Sequence, residues 1–145
     1  MGLNRSELRE KIMVILYQIY FYRQSKMEYD VESVIKENLP IENKFVNDIV
    51  YGVLDNEKEL DKIINKYMEN WNITRLGKTD QAILRLSTYE LLKYDTPNIV
   101  AINEGIELAK KYSDEKVVKL INAILDTILN EEVKNEWKIL YNNWD

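Results

Sequence analysis

The run from Asp80 to Tyr112 most restricts what this chain can fold into, because Pro97 divides it into two helical segments of different character. The first segment, 80–94, has apolar residues on every side, which is typical of a helix buried all round. The second segment, 100–112, is amphipathic, and its apolar stripe carries small residues spaced by four, namely Ala101, Gly105 and Ala109. A stripe of small residues lets another helix approach closely. The pair predicts an all-α core built around a central helix.

Apolar spacing and capping residues predict further helices on both sides of this pair, about seven in total. We expect Asp30, Asn43 and either Ser113 or Asp114 to cap helices, and Thr79-Asp80 to cap the central helix. The helical rhythm continues beyond residue 130 with Trp137 and Trp144. We therefore expect one domain over residues 1–145, made of two packed helical subdomains, 1–70 and 71–145, the second with a C-terminal helical extension.

The first predicted helix, residues 5–23, has two apolar strips. Leu8, Ile12, Ile15, Leu16 and Ile19 follow the spacing of a core stripe, whereas Met13, Tyr17, Tyr20 and Phe21 form a second strip on the other side. Tyr17 points about 155° away from the centre of the core stripe. The helix is either sandwiched between two parts of the same protein or presents Tyr17 to a partner.

Composition excludes several kinds of chemistry. The chain has no Cys and no His, so thiol, histidine and zinc-finger chemistry are ruled out. It also lacks a Gly-rich nucleotide loop, and we therefore expect no enzyme activity, no cofactor and no metal site. No apolar run reaches the roughly 18 residues that span a membrane, and we expect a cytoplasmic location. The net charge of −5 argues against coating nucleic acid through overall charge, but it leaves room for a local basic patch.

Several blocks in the expected order resemble the NusB family over about residues 5–130. Phe45, Ile49, Val50, Gly52, Val53 and Asn56 match its F-x-x-x-L-V-x-G-V-x-x-N stretch. The most distinctive block is Ala101-Ile102-Asn103-Glu104 followed by Glu107-Leu108-Ala109-Lys110-Lys111. The resemblance implies a transcription antitermination factor that binds a single-stranded leader element of ribosomal RNA transcripts. It would act with NusE, a small-subunit ribosomal protein, in the RNA polymerase antitermination complex, away from membranes, with a homodimer possible.

The resemblance also implies which residues bind. RNA would contact a first group at the start of the first helix and a second group on the last helix: Arg5, Arg9 and Lys11, then Lys116, Lys119 and Leu120. Arg5 and Arg9 are one helical turn apart, so both could reach neighbouring phosphates. Tyr17 and Asp80 match positions that meet the protein partner. Asp80 has a second reading as an acidic first-turn residue favoured by the helix dipole.

Some positions depart from the family pattern and keep other functions open. Ser6 stands where another arginine is common in the family, and Glu7 reduces the positive charge at the start of the first helix. Leu120 replaces an aromatic residue that contacts bases in the family. The alternative is a NusB-like paralogue that serves as a protein-interaction module without RNA recognition. A further alternative is an oligomeric scaffold driven by Trp137 and Trp144. For other charged residues we expect structural roles: an ion pair for Arg85, and a surface pair between Glu107 and Lys111.

Overall fold

The computed structural model of the protein describes residues 2–133, and this range contains seven α-helices. They are α1 (Arg5–Gln24), α2 (Val31–Asn38), α3 (Lys44–Asp55), α4 (Glu57–Lys66), α5 (Lys78–Lys93), α6 (Asn98–Tyr112) and α7 (Glu115–Ile128). A 3₁₀ turn, Ile73–Arg75, precedes α5, and a π-helical turn, Leu129–Val133, follows α7. No strand occurs among the described residues. The all-α prediction is confirmed.

The central helix α5 organises the packing. It contacts α1, α3, α4, α6 and α7, and its residues are buried on every side, including Ile83, Leu84, Leu86 and Leu91. Residues on both sides of position 70 contribute to the same apolar core, since α5 packs on both α1 and α3. Within residues 2–133, no helix is both long enough and apolar enough to cross a membrane.

The small-residue stripe of α6 lies against α5, as its sequence predicts. Ala101 and Ala109 are fully buried. A Cβ added to Gly105 would lie 2.2 Å from the Ser87 hydroxyl oxygen and 3.4 Å from a methyl carbon of Leu125. Only glycine therefore allows α5 and α6 to approach this closely, and the short distance fixes how the two helices sit against each other.

The capping predictions are confirmed at three helix starts and wrong at one. Asp30, Asn43 and Asp114 each accept a hydrogen bond from a backbone N–H of the following turn. The central helix instead begins at Lys78, with Gly77 at its N-cap and no side-chain cap. Thr79-Asp80 therefore lies inside the first turn, where an acidic side chain still interacts favourably with the helix dipole. The prediction about Trp137 and Trp144 lies outside the described residues.

Candidate nucleic-acid interface

Arg5 is an exposed cation at the beginning of α1. An Asn4–Glu7 capping box starts this helix: the Asn4 side chain accepts from the Glu7 backbone N–H, and the Glu7 carboxylate accepts from the Asn4 backbone N–H. The Arg5 guanidinium carbon lies 3.9 Å from the centroid of the Phe45 ring on α3. The ring attracts the cation through its quadrupole and leaves the guanidinium N–H groups available for a phosphate. Arg5 is thus exposed at the start of α1, and its contact with RNA stays a prediction.

Arg9 is not an exposed cation, and this corrects the expectation that it stands beside Arg5 on the surface. It is 3% exposed. Its Nε donates to Glu90 Oε2 and its second terminal nitrogen donates to Glu90 Oε1, both at 2.8 Å. Glu90 lies on α5 and is itself 1% exposed. The two arginines, one turn apart, therefore have different surroundings, because the body of the protein covers only the second.

The Arg9–Glu90 pair has further partners. The Thr96 hydroxyl donates to Glu90 Oε1 at 2.7 Å, and Glu104 of α6 lies 3.9 Å from Arg9. Burial by itself would lower the pKa of Arg9, but the hydrogen bond and the charge of Glu90 outweigh it and hold that pKa above its ordinary value. The guanidinium is therefore permanently charged, and it joins α1, α5 and α6.

A groove between the start of α1 and the end of α6 flanks Arg5, and carboxylates dominate it. Its open volume is about 550 Å³.

 Both helices contribute charged side chains to the lining of this groove. Its acidic lining residues are Glu7, Glu10, Glu104 and Glu107. A nucleic-acid strand that contacts Arg5 is therefore repelled from this side.

An ion pair and a hydrogen bond across the same groove join α1 to α6. The Lys111 ammonium donates to both Glu10 carboxylate oxygens at 2.8 and 3.1 Å, and the Ser6 hydroxyl donates to Glu104 at 2.7 Å. The expected Glu107–Lys111 pair is wrong, because Glu107 pairs with Lys110 instead. Lys11 is half-buried on another side of α1, so it does not extend the surface of Arg5.

The start of α7 carries the second predicted group of RNA-binding residues. Lys116 is exposed. Lys119 is exposed too, and within residues 2–133 its ion-pair partner is Glu115, 3.9 Å away and one turn earlier on the same helix. Leu120 is half-buried and packs against the core. The two lysines are therefore weakly held, and little internal bonding would be lost if a phosphate bound them.

Tyr17, predicted to meet a protein partner, is 41% exposed, and Phe21 on the next turn of α1 is 47% exposed. The other two members of the second apolar strip, Met13 and Tyr20, are buried. The two interpretations of this strip, packing within the protein and exposure to a partner, therefore each apply to part of it. Half of it packs inside the protein, and the other half leaves two aromatic rings on the surface.

Asp80 is half-buried in the first turn of α5 and accepts a hydrogen bond from the Ser113 hydroxyl at the end of α6. Near it, the second half of α1 faces the start of α5 across an open cleft of about 420 Å³, lined by Tyr20, Gln24, Thr74, Leu76, Gly77, Lys78 and Gln81. The cleft lies between the helices that carry Tyr17 and Asp80. A protein segment could contact both helices there.

Arg85 has the structural ion pair that its sequence position predicts. It donates to the two carboxylate oxygens of Asp61 at 2.7 and 2.9 Å, and its guanidinium carbon lies 4.9 Å from the Tyr20 ring centroid. Burial opposes the charge of Arg85, but Asp61 and Tyr20 hold its pKa above the ordinary value. Burial also raises the pKa of Tyr20 to about 12.

Sequence reasoning missed Glu90 and Lys111 as functional neighbours of the predicted sites. Glu90 had a usable signal, because a charged residue on a helix that is otherwise buried all round needs a partner. Lys111 had none, because its partner Glu10 is 101 positions away in the chain.

These features define a class of protein: an all-α recognition domain with exposed cations at the starts of α1 and α7 and an aromatic face on α1. Comparison with known proteins makes the assignment specific. The family model described as "NusB family" matches residues 6–130, and the chain belongs to this family.

Curated relatives agree with the family assignment. The chain is 40% identical over 132 residues to the transcription antitermination protein NusB of Listeria innocua, covering 90% of this chain and 99% of the relative. It is 38% identical over 135 residues to the protein of the same name from Ligilactobacillus salivarius, covering 89% and 100%.

Solved structures are similar as well. A structure of T. maritima NusB superimposes with a TM-score of 0.79 at 35% identity, covering 90% of this chain and 94% of that one. A second structure, described as antitermination factors NusB and NusE in complex with dsRNA, has a TM-score of 0.71 at 26% identity and covers 87% and 96%.

Proposed function

We propose that this chain is an RNA-binding transcription antitermination factor that acts with a NusE-type ribosomal protein on a leader element of ribosomal RNA transcripts. The observation that carries the proposal is its 40% identity to an antitermination protein over nearly the full length of both chains. The structure similar to it that contains NusB, NusE and RNA supports the same assignment. The proposal places the protein in the cytoplasm with RNA polymerase, where it recognises ligands and catalyses no reaction.

On the RNA side, we propose that Arg5, Lys116 and Lys119 contact phosphates and that Leu120 contacts a base at the edge of α7. Arg5 and both lysines are exposed, which is what phosphate contact requires. Lys11 contributes less, because it is half-buried on another side of α1. Few cations suit single-stranded RNA, whose bases can be recognised by stacking and by hydrogen bonds to their edges.

On the protein side, we propose that Tyr17 and Asp80 contact the NusE-type partner. The exposed rings of Tyr17 and Phe21 supply apolar contact area, and aromatic residues of this kind are frequent anchors of protein interfaces. The hydrogen bond from Ser113 uses one carboxylate oxygen of Asp80, and the other oxygen can accept from a donor on the partner.

A titration tests the two sides separately. A labelled single-stranded RNA with the ribosomal leader element of Listeria innocua is titrated with the chain, alone and with the NusE-type protein of the same species. We expect binding in both cases, and we expect Tyr17→Ala to weaken partner binding about tenfold or more without changing RNA binding by the chain alone. The surface variant Lys62→Ala serves as the control. Partner binding without any RNA binding would contradict the proposal and favour the protein-interaction module.

A further inference from the structure

The Arg9–Glu90 pair sits beneath the surface that carries Arg5. The guanidinium of Arg9 donates two hydrogen bonds to Glu90 and lies 3.9 Å from Glu104. A phosphate could bind Arg9 only by displacing Glu90, and the displaced carboxylate would then be buried without its cation. Breaking a buried pair in this way is strongly unfavourable.

The same pair holds the helix turn from which Arg5 projects. Arg9 is joined to α5 through Glu90 and to α6 through Glu104, and Ser6 is joined to Glu104 as well. The guanidinium carbons of Arg5 and Arg9 lie 3.9 and 5.2 Å from the centroid of the same Phe45 ring. Movement of the first two turns of α1 would therefore displace Arg5 from its place over that ring.

We propose that Arg9 and Glu90 are positioning residues for RNA binding: their buried pair fixes the first turns of α1 so that Arg5 is presented to a phosphate. Arg9 itself does not touch the RNA. This inference rests on the proposed function, and it divides the two arginines into one that contacts the ligand and one that holds the contacting residue in place.

Glu90→Gln separates this proposal from direct contact by the sign of its effect. If Arg9 bound phosphate, removing the negative charge of Glu90 would release it and strengthen RNA binding. If the pair positions Arg5, the variant binds RNA more weakly, and we expect a loss of about fivefold. The probe is the labelled leader RNA, and circular dichroism establishes that the variant is folded.

The salt dependence of RNA affinity gives a second measurement. A residue that only stabilises the fold would not change this dependence when it is substituted. Each phosphate contact with single-stranded RNA adds about 0.7 to the slope of log affinity against log salt. Arg5→Gln should lower that slope by this amount. Arg9→Lys should lower it as well, because lysine cannot form the bidentate pair that holds Arg5 towards its phosphate. If Arg9 itself bound a phosphate, lysine would keep the charge and the slope would stay unchanged. Lys62→Ala is the control for loss of a distant charge.

A double-mutant cycle completes the test. In a chain that already carries Arg5→Gln, adding Glu90→Gln should cause less than a twofold further loss, because there is no arginine left to present. Where Glu90→Gln does not fold, Thr96→Val replaces it, since it removes only the hydroxyl that donates to Glu90, and a loss of about twofold is expected.

Three results would overturn the inference: stronger RNA binding by Glu90→Gln, an unchanged salt slope for Arg9→Lys, or fully additive losses in the cycle. If the unaltered chain binds no RNA, the proposed function fails and the inference fails with it. If the unaltered chain binds and one of the three results appears, the inference alone is wrong.

Discussion

The starts of α1 and α7 both carry cations, but the surroundings of these cations differ. In α1, Arg9 is buried and paired with Glu90 at 2.8 Å, and Arg5 lies over an aromatic ring. In α7, Lys116 and Lys119 are exposed, and Lys119 lies 3.9 Å from Glu115 on its own helix. A cation can therefore reach a phosphate only where the fold leaves it exposed, and sequence position near a predicted site is not sufficient.

The largest expected difference between the two regions is in stability. Arg9→Ala leaves Glu90 buried without its cation, and we expect the free energy of unfolding to fall by about 3–5 kcal/mol. Lys119→Ala removes only a loose surface pair, and we expect a change within about 0.5 kcal/mol. Urea denaturation followed by circular dichroism measures both. Equal losses for the two variants would remove the distinction.

A smaller effect is expected on RNA affinity from α7. Combined Lys116→Ala and Lys119→Ala should lower the salt slope of binding by about 1.4, because two phosphate contacts are lost. The free energy of unfolding should stay within about 0.5 kcal/mol of the unaltered chain. Fluorescence anisotropy at several salt concentrations measures the slope, with Lys62→Ala as control. An unchanged slope would exclude α7 from the RNA surface.

The smallest effect is expected from Leu120→Phe. The half-buried leucine stands at the edge of α7, and an aromatic ring there would offer a base a stacking platform. Stacking contributes about 1–3 kcal/mol per base, and we expect a gain near the lower limit because part of the side chain packs against the core. Isothermal titration with the leader RNA tests this, and Leu120→Met is the matched control. A gain with both variants would point to packing rather than stacking.

Periodicity predicted much of the fold but could not separate the two arginines. On a helical projection, Arg5 lies about 35° from the centre of the core stripe of α1 and Arg9 about 75°. By angle alone Arg5 would be the more buried of the two. The structure shows the reverse, because Arg9 is covered by α5 and α6, whereas Arg5 is on the first turn, where the covering is incomplete.

The sequence by itself determined the helices, most of their caps, the small-residue stripe of α6 and the need of Arg85 for a partner. These features depend on local spacing and on the chemistry of single residues. Only the tertiary structure decided that Arg9 meets Glu90, which is 81 positions away, and that Asp80 meets Ser113. Such pairings depend on how whole helices pack against each other, and local sequence patterns do not predict that packing geometry.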